Sequence, residues 1–567
     1  MSFSALAVSN AVLDVGDAKQ TPISQVSGGA ALRGAAGWSR CIGCAALLCG
    51  LALLAGCASY PPGRDYPRDP AEALQLPPDN TLTAPFADDL RSHASESGFR
   101  ILPAGVDGLL LRLELIERAQ RSLDLQYYIF RSDESGLLVS NALVRAARRG
   151  VRVRILVDDG ETVAGDERLL QLAGQANIAI RVFNPWRYRG HSMVLRGVEF
   201  LFSHGRLDYR MHNKLFIADG AVAVFGGRNI GDQYFQVDPD SQFADDDVFT
   251  IGAAVGALAD AFERFWNCDV AIPAQALAHW RGLTATAPAP NGQHIVPEKA
   301  ESAGANYDAK LQAGQPLADI VAGHSPLAWA HAEIACDSPA KKDIQEGARI
   351  SSLVYGPVAN AIRQTQSELT MITPYLVPTT EELRLLQQRV EQQRHVRILT
   401  NSLEASTGLP AQAGYMHHRV ALLKAGVQLF EVRARLDSVR GSGQSRKMSR
   451  YGNYGLHAKL MVFDRSSVYV GSMNFDERSV RLNTEVGLII QSPELAQQSA
   501  KRFEDMTQPQ SAYAVTLQQT GDTRKPRLNW TTVESGRQVT YQVEPARSRW
   551  QRLAAHLLGL IRLDREL

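Results

Sequence analysis

The sequence predicts an α/β protein of two similar lobes, each a mainly parallel mixed sheet flanked by helices, packed with pseudo-two-fold symmetry around one shared active site. Three observations predict it. The chain, at 567 residues, exceeds the size at which one hydrophobic core stops growing. The order helix, strand, helix, strand recurs in two halves, the pattern of α/β lobes with parallel sheets. Each half also carries the same short constellation of histidine, lysine, aspartate and asparagine at the same internal spacing. With 45% hydrophobic and 21% charged residues, the chain has the apolar surface for two large cores.

The N-terminus reads as targeting. Arg33 and Arg40 precede an apolar run from Cys41 to Leu54 that closes on Leu54-Ala55-Gly56-Cys57. The run has the length of a signal h-region and falls short of the roughly 20 residues that span a bilayer. It resembles a bacterial lipobox, which implies cleavage before Cys57 and acylation of that residue. Residues 1–56 are then a lipoprotein signal peptide with a long N-terminal extension. Ala58 after the cysteine implies a lipid-anchored protein of the bacterial cell envelope, in the outer membrane facing the periplasm. Two or three acyl chains anchor stably where one does not. Removing 1–56 takes Lys19, Arg33 and Arg40 against Asp14 and Asp17, so the formal charge falls from +1 to zero. The lack of a basic field argues against a nucleic-acid partner. Cys268 and Cys336 are the cysteines left beyond Cys57; they pair or remain buried thiols, and no metal-ligand spacing is left.

Residues 57–95, proline-rich from Tyr60 to Asn80, read as a tether. The first lobe is expected over 96–283, with a helix over 113–121, a strand over 123–129, a helix near 140–149 and a strand over 151–157. A Pro- and Gly-containing stretch near 284–305 marks a linker over 284–345. The second lobe, 346–567, repeats the order with helical 361–368, strand 369–375, helix 381–393 and strand 395–399. It ends in an amphipathic helix with Trp550, Leu553, Ala554, Leu557, Leu558 and Ile561 at helical spacing, expected to pack on the second lobe, with a lipid interface as the alternative.

The chemistry lies in the repeated constellation: His212-x-Lys214, Asp219 and Gly226-Gly227-x-Asn229, then His457-x-Lys459, Asp464 and Gly471-Ser472-x-Asn474. Residues two apart on a strand share a face, so each histidine points with its lysine. Asp219-Gly220 is a hairpin signal, and the returning strand brings Asn229 back toward His212. Asp219 and Asp464 therefore read first as turn formers. The other residues suit a phosphodiester. Attack on a phosphorus shielded by negative oxygens needs donors that neutralise charge as it builds, which Lys214, Lys459, Asn229 and Asn474 supply. Gly226, Gly227, Gly471 and Ser472 are small enough for backbone to approach a phosphate. Histidine titrates near neutrality, so one imidazole can attack while another serves as acid. No cofactor or metal is called for, and His417-His418 reads as surface or groove lining because adjacent side chains diverge.

On these motifs, with Arg210-Met211-His212-Asn213-Lys214, the run from Gly226 to Phe235, Pro374-Tyr375-Leu376-Val377-Pro378 and Asn474-Phe475-Asp476-Glu477-Arg478-Ser479, the chain resembles the phospholipase D superfamily and, within it, the bacterial cardiolipin synthase branch. The resemblance implies transfer of a phosphatidyl group between membrane phospholipids, phosphatidylglycerol with or without phosphatidylethanolamine, through a phosphohistidine. It makes His212 the nucleophile and His457 the general acid, an order that the motif symmetry leaves reversible. Each imidazole needs a carboxylate on its other nitrogen. Family precedent implies crossed pairing of Glu485 with His212 and Asp247 with His457, both carboxylates preceding valine; Asp245 and Asp246 are alternatives for the first-half carboxylate, though they read first as solvated loop charges. A phospholipase D-type hydrolase or nuclease using water as acceptor is the alternative, and a catalytically inactive lipid-binding lipoprotein a third. Arg433, Arg435, Arg440, Arg446, Lys447 and Arg450, just before the second motif, form a guide for anionic headgroups or a solubilising loop.

Overall fold

A computed structural model describes residues 60–68, 70–72, 80–160, 166–190, 192–237, 241–280, 314–343, 353–406, 408–434, 453–518 and 527–560. The signal region, Cys57, most of the linker and nearly all of the basic stretch lie outside them. Both lobes belong to one unit, Ser59–Leu567.

Each lobe is built on one mixed sheet. The first has nine strands in the order Ala328–Ala330, Ser97–Leu102, Asp247–Gly252, Val222–Gly226, Leu215–Ala218, Ser122–Tyr127, Arg152–Asp158, Ile178–Phe183 and Ala271–Pro273. The second has ten: Ala332–Cys336, Val486–Ile490, Ser467–Gly471, Leu460–Phe463, Glu368–Ile372, His395–Asn401, Gln428–Val432, Ala512–Leu517, Leu528–Glu534 and Arg537–Tyr541. The α/β class and the two lobes match the sequence reading, but the sheets are mainly antiparallel. Parallel pairing is confined to the three strands joined by helical crossovers in each lobe, beginning at Ser122–Tyr127 and at Glu368–Ile372. The motif hairpins, short enough to demand antiparallel pairing, build the other half of each sheet.

Three cores result. One lies under the outer helices of each lobe, where Leu111, Leu115 and Leu143 or Val358, Ile362 and Leu386 are sealed. The third is shared: Phe99, Leu215, Phe225 and Val248 of the first sheet meet Leu460, Val468, Val470 and Leu488 of the second. The inner sheet faces are thus buried on each other, which fixes one lobe against the other.

Several expectations change. Residues expected in the linker finish both sheets: Ala328–Ala330 pairs with Ser97–Phe99, and Ala332–Cys336 with Val486–Ile490, so the lobes divide at His331. Part of the expected tether is a strap on the first lobe. Arg68 donates to the carbonyls of Asp269 and Ala271 (3.0 and 3.2 Å), and Asn80 to the Asp219 carboxylate (3.2 Å). Prolines that suggest an extended tether equally suit a strap, because both lack regular backbone pairing. Cys268 and Cys336 are free thiols.

Candidate active site

The site is assembled where the lobes meet. Each histidine lies just before a motif strand, not on it: His212 precedes Leu215–Ala218, and His457 sits between Asn453–Leu456 and Leu460–Phe463. The backbone there pairs across the lobes. His212 N–H donates to the Thr484 carbonyl (2.9 Å) and His457 N–H to the Ala244 carbonyl (2.8 Å), and Asn453–Leu456 runs parallel to Ser241–Ala244. Thr484 and Ala244 immediately precede Glu485 and Asp245, so main-chain pairing delivers a carboxylate from each lobe to the other lobe's imidazole. His212 Nδ1 lies 2.9 Å from Glu485 Oε2, and His457 Nδ1 lies 2.6 Å from Asp245 Oδ2. In both, Nε2 is left as the reactive nitrogen.

Glu485 sits where the sequence placed it, whereas Asp245 holds His457 in place of Asp247. Register explains the error. Gly226 pairs with Asp247, 21 residues on, and Gly471 with Gly487, 16 residues on. The residue two before the paired position is therefore Asp245 in one lobe and Glu485 in the other. Asp247 is buried against Arg112 (2.8 Å) and Arg228 (3.5 Å), and its place is structural. Asp245 and Asp246 are not solvated loop charges; both are buried, Asp246 against Arg502 (3.0 Å).

The small residues serve these carboxylates. A Cβ on Gly227 would fall 2.0 Å from Asp245 Oδ1, and Gly226, at φ +151°, would carry one into the Asp246 carbonyl. The space expected for a phosphate is taken by the carboxylate. Ser472, the counterpart of Gly227, instead donates its hydroxyl to Glu485 (2.5 Å), joined by Ser479 (3.0 Å).

Lys214 and Lys459 are buried beside the histidines, and each ammonium donates to the carbonyl of its own histidine, Lys214 at 2.6 Å. Asn229 Oδ1 accepts the Ile129 N–H (3.0 Å), which directs its Nδ2 donors the other way. Asn474 is buried at the equivalent place. Aromatic rings wall the pocket: Tyr128 meets His212 edge-on at 5.2 Å, while Tyr234 and Phe243 flank His457 at 5.1 and 5.4 Å. The rings and Ser479 were missed as site residues, although Tyr234 and Ser479 lie in runs that carry the resemblance, and Asp245 was weighed but passed over for Asp247.

Asp219 and Asp464 close the hairpins as read, with left-handed φ of 56° and 53°. They also do more. Asp219 accepts the N–H groups of Gln120, Arg121 and Ser122, and Asp464 those of Gln366, Ser367 and Glu368. Each ties its hairpin to the first residues of the neighbouring parallel strand.

Charge in this dry pocket is costly. Burial, with the two lysines, drives the His212 imidazolium well below its ordinary range, and burial with Lys459 takes His457 down to about 3. Burial lowers Lys214 well below its usual value and Lys459 to about 8. Glu485 is pushed up by burial to about 7 despite Lys214. Burial and the lysines thus favour neutral imidazoles in the free site, and an anionic phosphodiester bound there would offset the lysines and raise the proton affinity of the histidines. Among the described residues no group of three histidine, cysteine or carboxylate side chains could hold a metal.

The model of the family described as cardiolipin synthase, phospholipase D-like domain, matches residues 113–266 and 358–507, one copy in each lobe. Cardiolipin synthase C of Escherichia coli (strain K12) is 34% identical over 480 residues, covering 83% of this chain and 96% of that protein. An uncharacterised protein of Helicobacter pylori (strain ATCC 700392 / 26695) is 28% identical over 82% of this chain and 89% of its own length. The major cardiolipin synthase of Bacillus subtilis (strain 168) is 25% identical, with 73% of this chain and 70% of that protein covered.

Proposed function

The chain belongs to the cardiolipin synthase family of phospholipase D-like phosphatidyltransferases, and from that premise we propose that it makes cardiolipin by a two-step transfer. The reading is supported above all by the crossed His212–Glu485 and His457–Asp245 pairs, which make one site from two lobes.

In the first step His212 Nε2 attacks the phosphorus of phosphatidylglycerol or phosphatidylethanolamine. A P–N bond forms, the P–O bond to the headgroup breaks, and His457 gives its proton to the departing glycerol or ethanolamine. In the second step His457 takes the proton of a phosphatidylglycerol hydroxyl as that oxygen displaces His212. Glu485 orients His212 and balances the charge of its phosphorylated form, and Asp245 does the same for protonated His457. Lys214, Lys459, Asn229 and Asn474 neutralise the phosphoryl oxygens in both transition states. Acylation of Cys57 would hold the enzyme at the outer membrane, facing the periplasm, where both lipids arrive laterally.

Reconstituted enzyme given phosphatidylglycerol, with and without phosphatidylethanolamine, is expected to yield cardiolipin and free glycerol or ethanolamine by lipid mass spectrometry, with little phosphatidic acid. Phosphatidic acid as the main product would make it a hydrolase. A mature N-terminus other than lipidated Cys57 would end the anchor proposal.

A further inference from the structure

Two helices are built inside out. Met193–Leu207 leaves Met193, Val194, Leu195, Val198, Leu201 and Phe202 exposed, Leu201 by 78%, while it buries Ser203, Arg206 and Leu207. Its inward side is polar. Glu199 accepts the backbone N–H groups of Arg187 and Tyr188 (2.7 and 2.8 Å) and pairs with Arg206, which also donates to Asn184 and to the Pro185 carbonyl. A helix facing water turns its apolar stripe inward and its charges outward; this one does the reverse. Arg549–Gly559 repeats the inversion. Trp550, Leu553, Leu557 and the following Leu560 are exposed, and within the helix only Ala555 is buried. It is fastened through Gln551 to the Leu403 carbonyl (2.7 Å), Arg552 to the Glu544 carbonyl and His417 to the Gly559 carbonyl. The helix packs on Leu409–Lys424 of the second lobe, as expected, but of its apolar stripe Ala554 and Leu558 are half-buried while Trp550, Leu553 and Leu557 face outward.

Both helices belong to the site-bearing ends of their lobes. Met193–Leu207 follows the strand Ile178–Phe183 and ends five residues before His212. Leu403, which holds the other helix, lies just past the strand His395–Asn401, and the Asn401 side chain grips both polar backbone groups of Leu456, next to His457 (2.8 and 2.9 Å).

The geometry points to these two helices as a docking surface that seats the site on a phospholipid bilayer, each apolar face entering the interface at one side of the cleft. A bilayer suits them better than a second copy of the chain or an undescribed segment. Arg196 borders one face, over Trp186, and the exposed Arg549 borders the other, the arrangement of an interfacial helix on anionic lipid. The chain also enters the described body beside the first helix. Arg187, whose N–H is held by Glu199, donates to the carbonyl of Tyr60 (3.0 Å), three residues after the proposed acylation site. On the proposed function the inference rests only for that anchor.

The test uses full-length protein in vesicles of phosphatidylglycerol and phosphatidylethanolamine, with an environment-sensitive fluorophore on Leu201→Cys or Leu557→Cys. Unsubstituted protein gives the background from the native cysteines, and Lys501→Cys, at an exposed side chain, serves as the control position. Blue-shifted emission at both helices, quenched by nitroxide-bearing lipid to a common depth and absent at the control, is expected. A shift that persists without lipid and grows with protein concentration would assign the surface to a second copy. One that persists without lipid at any concentration would assign it to the chain itself, and either overturns docking. Leu201→Asp with Phe202→Asp should lower turnover of vesicle lipid by about 10-fold and spare dispersed short-chain phospholipid. Quenching without cardiolipin synthesis would sink the transferase reading alone, and synthesis without quenching would sink docking alone.

Discussion

The two half-sites share a backbone and differ in charge. His212 and His457 are both aligned by a bond to the residue before the opposing carboxylate, and both present Nε2 to the pocket. Yet Glu485, shared with two serine hydroxyls, is pushed up by burial to about 7. Asp245 is also buried, but His457, Lys459 and Arg228 outweigh that burial and hold it well below the ordinary carboxylate range. Duplication copied the geometry, and the neighbours divided the labour. A permanently ionised Asp245 suits the imidazole that must carry a proton, whereas a carboxylate poised near neutrality suits the one that must attack.

The largest effect that can break this division comes from the histidines. His212→Ala and His457→Ala should each lower turnover by on the order of 10³-fold or more, since neither half is sufficient. A p-nitrophenyl phosphodiester, whose leaving group needs no acid, should separate them. His457→Ala is expected to accumulate acid-labile phosphate on His212, and His212→Ala to accumulate none. Adduct on His457 would reverse the roles.

The carboxylates come next. Asp245→Asn and Glu485→Gln should each cost about 10²–10⁴-fold in kcat/KM. Their pH profiles should differ. In the unsubstituted enzyme, activity is expected to rise as Glu485 loses its proton near 7 and to fall as Lys459 loses its own near 8. Glu485→Gln should abolish the rising limb, while Asp245→Asn should keep it, because Asp245 is ionised throughout. Identical profiles would show that the half-sites are not electrostatically distinct. Asp247→Asn should act differently again. It weakens the buried contacts with Arg112 and Arg228, so urea unfolding should report a loss of about 3–5 kcal/mol with the pH profile unchanged.

The motifs and the two lobes were legible in the sequence because spacing within a hairpin is fixed by the turn, whereas the crossing with Glu485 was implied by the family resemblance alone. Asp245 was not, because the connection from Gly226 to its paired strand is five residues longer than its counterpart, and matching Asp-Val to Glu-Val ignored that insertion. Parallel pairing was overread because periodicity reports which faces are buried and says nothing of strand direction. The same blindness applies to Met193–Leu207. Its apolar spacing is visible, but only the inward ion pairs of Glu199 and Arg206 reveal that the stripe points out.

The finest comparison is between the motif aspartates, alike in sequence and in their three backbone bonds. Asp219 is fully buried, and it also accepts from Asn80 on the strap. Asp464 is partly open, and the N–H groups of Gln366 and Ser367 that it accepts are exposed. Removing a carboxylate strands donors only where water cannot replace it. Asp219→Ala should therefore cost about 2–4 kcal/mol, and Asp464→Ala about 1–2 kcal/mol, since its donors are rehydrated. The pH dependence gives a second handle. Burial raises the Asp464 carboxyl, but the N–H groups of Gln366, Glu368 and Ser367 and the Ser367 hydroxyl together pull it below its usual value. A depressed acid contributes stability that is present above its unfolded pKa and lost as pH falls through the folded one. Unfolding curves of the unsubstituted protein and Asp464→Ala should accordingly draw together as pH falls below the ordinary aspartate range. Equal losses for the two substitutions at neutral pH would mean that solvent access does not separate the hairpins, and the two lobes would be closer copies in energy than they are in charge.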